Sequence, residues 1–179
     1  IEKILFSKNE YPHFMLKEIF EQPKTIQQAF HNRLLPAQGT AFFEELLFTP
    51  EELIEVRQIL IIACGSSWHA GLLAAAFFQE KARIPTQAHI ASEFRHSHPI
   101  LSKETLVIAI SQSGETLDTL AAVREVKKMG AKVLGICNVA HSTLAREADS
   151  TLFLKAGTEI SVCSTKAFTN QLIVLFLFS

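Results

Sequence analysis

The chain has 179 residues, 48% of them apolar and 20% charged, and its 17 basic and 18 acidic side chains leave a formal net charge of −1. That length suits one domain, able to bury roughly 70% of the surface that its unfolded chain exposes. With no basic block and no arginine-rich face, the composition argues against a nucleic-acid partner.

In chain order, residues 1–10 read as a linker remnant, since "IEKILFSKNE" has too short an apolar run for a signal peptide. In "YPHFMLKEIFEQP", Pro12 suits a first helical turn, and Phe14, Met15, Ile19 and Phe20 are spaced for one helical face. Pro23 is expected to break that helix, and "KTIQQAFHNRLL" to start a second. "GTAFFEELLF" is ambiguous, whereas "TPEELIEV" predicts a short helix from its Thr cap, its Pro at the first helical position and its early acids. Residues 11–58 therefore read as a helical lead-in.

From Ile59 the pattern changes. "QILIIACG", "TQAHIA", "TLVIAIS", "AKVLGICN" and "STLFLKAG" are short apolar, β-branched runs. Helical patterns separate them over Ser67–Arg83, Ser92–His98, Glu115–Met129 and Ser142–Ala148, and Ser164–Phe178 follows the last run. Continuous apolar strands alternating with helices imply a parallel sheet covered on both faces. Right-handed crossovers then give an α/β fold, a three-layer αβα sandwich of flavodoxin-like type with five strands in the order 2-1-3-4-5, over residues 59–179. The closing "LIVLFLF" is far shorter than the ~20 apolar residues that span a membrane. It predicts a buried helix cut in mid-course, and with the absent initial Met it suggests a piece of a longer protein. An apolar helix face left open in this way should pair two copies of the fragment.

Two loops stand where such a sheet binds ligands, beyond the carboxyl ends of its first and third strands. "CGSS" comprises Cys64, Gly65, Ser66 and Ser67, and "SQSGET" runs from Ser111 to Thr116. Each opens a helix, whose first N–H groups carry partial positive charge. Gly65 and Gly114 allow sharp turns and close backbone approach. The hydroxyls of Ser66, Ser67, Ser111, Ser113 and Thr116 and the Gln112 amide can donate to an anion's oxygens, so a phosphate monoester needs no cationic side chain here. Ordinary helix capping is the competing reading of the same hydroxyls. GxGxxG, GxxxxGK[ST] and GxSxG are all absent, which leaves the dinucleotide, Walker and serine-nucleophile readings without support. A third stretch, "AGTEISVCSTKAFTNQ", strings Gly157, Thr158, Glu159, Ser161, Ser164, Thr165 and Lys166 into either a polar flap over a sugar or a long capped loop with a solvated lysine.

Other residues read as structural. Cys64, Cys137 and Cys163 form no CxxC pair, as in a reduced cytoplasmic protein, and Cys64 suits a buried strand end better than a nucleophile's place. His96 and His98, with His89 upstream, lack a third metal ligand at suitable spacing. Glu93 and Arg95 read as an ion pair anchoring their helix, His69 as a surface residue, and Trp68 as packing.

"ACGSS", "ASEFR", "SQSGETLDTL", "ICNV" and "AGTEISVCSTKAFTNQL", in this order and spacing, resemble the isomerase half of the glutamine:fructose-6-phosphate aminotransferase (glucosamine-6-phosphate synthase) family, and "KEIFEQP" resembles the segment leading into it. The resemblance runs from about Tyr11 onward and implies the first of the family's two sugar isomerase (SIS) domains. It implies fructose 6-phosphate as ligand, with Ser66, Ser67, Ser111, Gln112, Ser113 and Thr116 on the phosphate, Cys64 and Gly65 shaping the loop, and Val162 and Ser164 at the sugar end. "CGSS" stands where "CGTS" is common, and Cys163 where a small residue is frequent. The family's imine-forming lysine, proton-moving glutamate and neighbouring-subunit histidine belong to the second SIS domain, so the resemblance assigns no catalytic residue, cofactor or metal to this chain. Its implied partners are that second SIS domain, a glutaminase domain and a second copy in a homodimer. A non-catalytic SIS module that senses sugar phosphates is the alternative. Such regulators carry a helix-turn-helix ahead of the domain, and "KEIFEQPKTIQQAF" lacks its turn chemistry and basic recognition helix.

Overall fold

Strands with apolar residues on both faces must be covered on both sides. The computed structural model, which describes residues 7–94, 96–97 and 99–179, places them so. A small hairpin, β1 (Leu34–Leu35) with β2 (Thr40–Ala41), precedes the main strands β3 (Gln58–Ala63), β4 (Thr86–Ile90), β5 (Thr105–Ile110), β6 (Lys132–Cys137) and β7 (Ser150–Phe153). The main sheet is parallel throughout, in the order β4-β3-β5-β6-β7. Counted within that sheet the order is 2-1-3-4-5, as expected. Its helices are α1 (Phe14–Phe30), α2 (Pro50–Ile54), α3 (Gly65–Phe77), α4 (Ala91–Phe94), α5 (Leu117–Lys128), α6 (Thr143–Glu147) and α7 (Lys166–Phe178).

Alternation along β3 divides the interior in two. Ile59, Ile61 and Ala63 pack with Ala70 and Ala74 of α3 and Val174 and Leu175 of α7. Leu60 and Ile62 pack on the other side with Leu120, Val123 and Val126 of α5. Consequently α3 and α5, which follow the neighbouring strands β3 and β5, lie on opposite faces of the sheet.

The lead-in differs from expectation. Pro23 lies inside α1 and does not break it. The Ile19 carbonyl, which would have bonded to the N–H that proline lacks, accepts a hydrogen bond from the Gln22 amide at 3.1 Å instead. Pro12 lies outside the helix, whose N-cap is His13. After Phe30, Asn32 adopts a left-handed conformation and the chain enters β1 instead of a second helix. The expected apolar face of α1 is turned outward: Phe20 is 63% exposed and Met15 42%. The inward stripe is polar, and it docks on the loop before α7 and on α7 itself. Glu18 accepts from Ser161, Glu21 pairs with Lys166, Gln22 accepts from Thr169, and the Thr25 carbonyl accepts from Asn170. These residues sit at i, i+3, i+4 and i+7, one side of a helix.

Elsewhere the differences are smaller. A capping box joins Thr49 and Glu52 at the start of α2. α3 begins two residues earlier than expected, at Gly65, and passes into a π-turn over Phe78–Ala82. α4 stops at Phe94, where the Ser97 hydroxyl donates to the Phe94 carbonyl at 2.8 Å. Arg95, His98 and residues 1–6, which include most of the linker remnant, lie outside the described residues. The closing "LIVLFLF" is largely covered, because α7 lies on α3 with Phe178 edge-on to Phe43 and Phe78. An anchor ties the lead-in to the sheet: the buried Arg33 guanidinium pairs with Glu45 and donates to the Phe153 carbonyl at 2.6 Å. Burial pushes the Glu45 carboxyl up, but its backbone hydrogen bond and Arg33 hold it below the usual range.

Candidate functional site

β3 and β5 pair in register with Ala63 beside Ile110, so the residues following them emerge side by side. Neighbouring strands lie about 4.8 Å apart. The chain turns from β3 into α3 at Gly65, φ 57°, and turns after β5 at Gly114, φ 69°. Two helix N-termini from opposite faces thereby meet at the point where strand order reverses.

Both ends are open. Neither Cys64, the N-cap of α3, nor Thr116, the N-cap of α5, caps its helix with its side chain. Three other helices are closed: Thr49 caps α2, Ser142 caps α6, and Glu159 accepts from the Thr165 and Ala167 amides at the start of α7, whereas α1 likewise has no side-chain cap at His13. The hydroxyls of the two loops are therefore not used as caps of α3 and α5. First-turn amides of both helices remain free for an anion, where the helix dipoles favour negative charge.

"SQSGET" uses its hydroxyls to build the turn. Ser111 and Thr116 share a hydrogen bond of 2.8 Å, the Gly114 amide donates to Ser111 Oγ at 3.0 Å, and the Glu115 amide to Ser113 Oγ at 3.2 Å. One proton suffices between Ser111 and Thr116, so the pair keeps a second to donate, as do Ser113 and the Gln112 amide. The turn is braced from behind. Asn138 donates its backbone N–H to the Gln112 carbonyl, Leu144 to that of Gly114, and Thr143 to the Glu115 carboxylate. The Thr143 hydrogen bonds, then the Arg146 charge, hold the Glu115 carboxyl below its ordinary range.

On the other side Ser67 is buried, and its oxygen accepts from the Gln171 amide of α7 at 2.9 Å, which leaves its own proton to donate. Ser66 is exposed and Cys64 half-buried. His69 is exposed, and Trp68 is half-buried with its indole N–H directed at the Ala88 carbonyl.

The third stretch reaches the same rim through Asn138, whose side chain accepts from the Ala156 amide and donates to the Gly157 carbonyl. Lys166 is not solvated. It is 4% exposed and pairs with Glu21 at 2.7 Å. Glu159 is engaged by Ser164, Thr165 and Ala167, and Val162 stands fully exposed between them. The pairing of β3 with β5 sets Ser66 and Ser67 beyond one strand end and Ser111, Gln112, Ser113 and Thr116 beyond its neighbour, while Val162 and Ser164 occupy a separate loop. Sequence reasoning gave no role to Asn138, Gln171 or Glu18. The signal present was a polar residue at the end of a buried strand or on the inner face of a helix.

Among the described residues no group of three His, Cys, Asp or Glu side chains could hold a metal ion. His89 stacks edge-on to Phe94, and burial lowers its pKa. All three cysteines are free, and burial pushes the Cys137 thiol up. No helix among the described residues is long and apolar enough to cross a membrane.

Comparison with known proteins agrees with this fold. The family model described as "SIS domain" matches residues 52–178. Glutamine–fructose-6-phosphate aminotransferase [isomerizing] of Chlorobaculum tepidum is 48% identical over 99% of this chain, and that of Clostridium acetobutylicum 47% over 95%. This chain spans 28% of the length of each. Among solved structures, the C-terminal domain of glucosamine-fructose-6-phosphate aminotransferase from Francisella tularensis matches with a TM-score of 0.89 and 40% identity, over 96% of this chain and 48% of that one. Glucosamine-6-phosphate deaminase from Thermotoga maritima matches with a TM-score of 0.75 and 26% identity, over 93% of this chain and 47% of that one.

Proposed function

This chain belongs to the SIS domain family, and from that premise we propose that its switch-point crevice binds fructose 6-phosphate by the phosphate group. The observation that carries the reading is the meeting of two uncapped helix N-termini at adjacent strand ends, ringed by hydroxyls with protons left to donate. In this reading Ser66, Ser67, Ser111, Gln112, Ser113 and Thr116 hold the phosphate, Cys64 and Gly65 shape the turn, and Val162 and Ser164 face the sugar. The names of its relatives support a parent enzyme that is a glutamine–fructose-6-phosphate aminotransferase; in this reading the chain is the first SIS domain of that cytoplasmic enzyme, which makes glucosamine 6-phosphate from fructose 6-phosphate and glutamine. Residues 11–58 would be the lead-in, and the partners a second SIS domain and a glutaminase domain.

The chemistry assigned to this chain is positioning. Holding the phosphate fixes the sugar's reacting carbons against groups supplied by the partner domain, while amino transfer and proton transfer take place on that partner. Lys166 and Glu159, the ionisable residues of the third stretch, are tied to Glu21 and to the start of α7.

Calorimetric titration tests this. Fructose 6-phosphate is expected to bind and fructose to give no heat, with no turnover from fructose 6-phosphate and ammonia by this chain alone. Equal binding of fructose contradicts the phosphate site, and ammonia-dependent turnover contradicts the division of labour. Association of two copies is also part of the proposal. It is carried by the exposed Leu72 and Leu73 of α3 and Phe176 of α7, on two helices that meet with Phe77 edge-on to Phe176. Sedimentation is expected to show a dimer that Leu73→Glu dissociates; a monomeric wild type at high concentration contradicts it.

A further inference from the structure

We propose that Glu18, on the lead-in helix, is a positioning residue for the sugar end of the site; the inference rests on the reading of the 157–165 loop given above. Glu18 is 2% exposed and forms no ion pair among the described residues. A buried carboxylate is costly unless hydrogen bonds satisfy it, and here one loop supplies all of them. The Ile160 amide donates to Oε1 at 2.6 Å, the Ser161 amide to both oxygens at 3.2 and 3.3 Å, and the Ser161 hydroxyl to Oε2.

The loop needs this. Residues 157–165 have no helix or ladder to take their backbone amides, and amides left without partners are destabilising. Two carboxylates meet part of that need, one on each side of Val162, by taking the amides of Ile160, Ser161 and Thr165. Glu18 fixes Ile160 and Ser161, and Glu159 takes the Ser164 hydroxyl and the amides of Thr165 and Ala167. Val162 is thereby held fully exposed on a short span clamped at both ends. Only one clamp is local. The other comes from a helix 142 residues upstream at Ile160, so the conformation of the sugar-end loop depends on the lead-in being docked.

Glu18→Gln keeps the volume but sets an amide donor against donors, and it should release the loop at Ile160 and Ser161 without touching the phosphate turn. The whole chain is titrated with two probes, inorganic phosphate and fructose 6-phosphate, and exchange of the Ile160 and Ser161 amides is followed by NMR. The expected result is phosphate affinity within twofold of wild type, fructose 6-phosphate affinity reduced about tenfold, and both amides exchanging at least tenfold faster. Ser161→Ala, which removes a single donor, should shift the same readouts in the same direction and serves if Glu18→Gln does not fold. Unchanged fructose 6-phosphate affinity overturns the inference, as does a parallel loss for both probes, which marks a merely structural residue. A wild type that binds neither probe overturns the phosphate site and the inference with it.

Discussion

Gly114→Ala is expected to abolish fructose 6-phosphate binding and to lower the unfolding midpoint by roughly 5–15 °C, from a destabilisation of about 2–4 kcal/mol. Two effects add. The residue adopts φ 69°, where an L side chain is strained. A methyl group there would also lie 2.2 Å from Ser142 Oγ and 2.4 Å from Ser142 Cβ. Ser142 is buried and caps α6, so it cannot move aside cheaply. Relief must come from the turn itself, through the Gly114 hydrogen bonds to Ser111 and Leu144 that hold it in place. Thermal unfolding and calorimetry on the same preparation check this. A variant with wild-type midpoint and affinity contradicts the packing account.

Ser113→Ala combined with Thr116→Ala is expected to weaken fructose 6-phosphate binding about 100-fold. A hydrogen bond to a charged group contributes about 1.5–3 kcal/mol, so the lower figure already gives about tenfold for each hydroxyl. Stability should change little. Ser113 Oγ accepts one bond from an exposed amide, and Thr116 makes one bond to Ser111, whose oxygen still receives the Gly114 amide. The midpoint is therefore expected to fall by less than about 4 °C. Unchanged affinity in the double variant contradicts the assignment of these hydroxyls to the phosphate.

The five main strands and the crossing order were legible because their signal is local: short β-branched runs separated by helical periods leave few topologies open. The two loops were legible for the same reason, since glycine and hydroxyl residues follow directly on buried strands. What stayed hidden depends on distant partners. Neither reading of the third stretch, a flap over a sugar or a loop with a solvated lysine, included the ion pair of Lys166, because Glu21 lies 145 residues earlier. The orientation of α1 was not legible because periodicity finds an apolar stripe without saying what it meets, and here Glu18, Glu21, Gln22 and Thr25 meet a polar loop and α7. Pro23 looked like a break because the rescue of the Ile19 carbonyl by Gln22 is a side-chain accident of one position. Whether the hydroxyls capped their own helices could not be read from residue types that serve both roles.

The central claim is that the open ends of α3 and α5 together hold a phosphate. Its most direct test is an NMR titration of the isotopically labelled chain with fructose 6-phosphate, following backbone amides. The account predicts the largest shifts at Ser66, Ser67, Leu117 and Asp118, reproduced by inorganic phosphate and not by fructose. Shifts confined to the lysine-lined cleft of Lys17, Lys24 and Lys166, with those four amides unmoved, would contradict it.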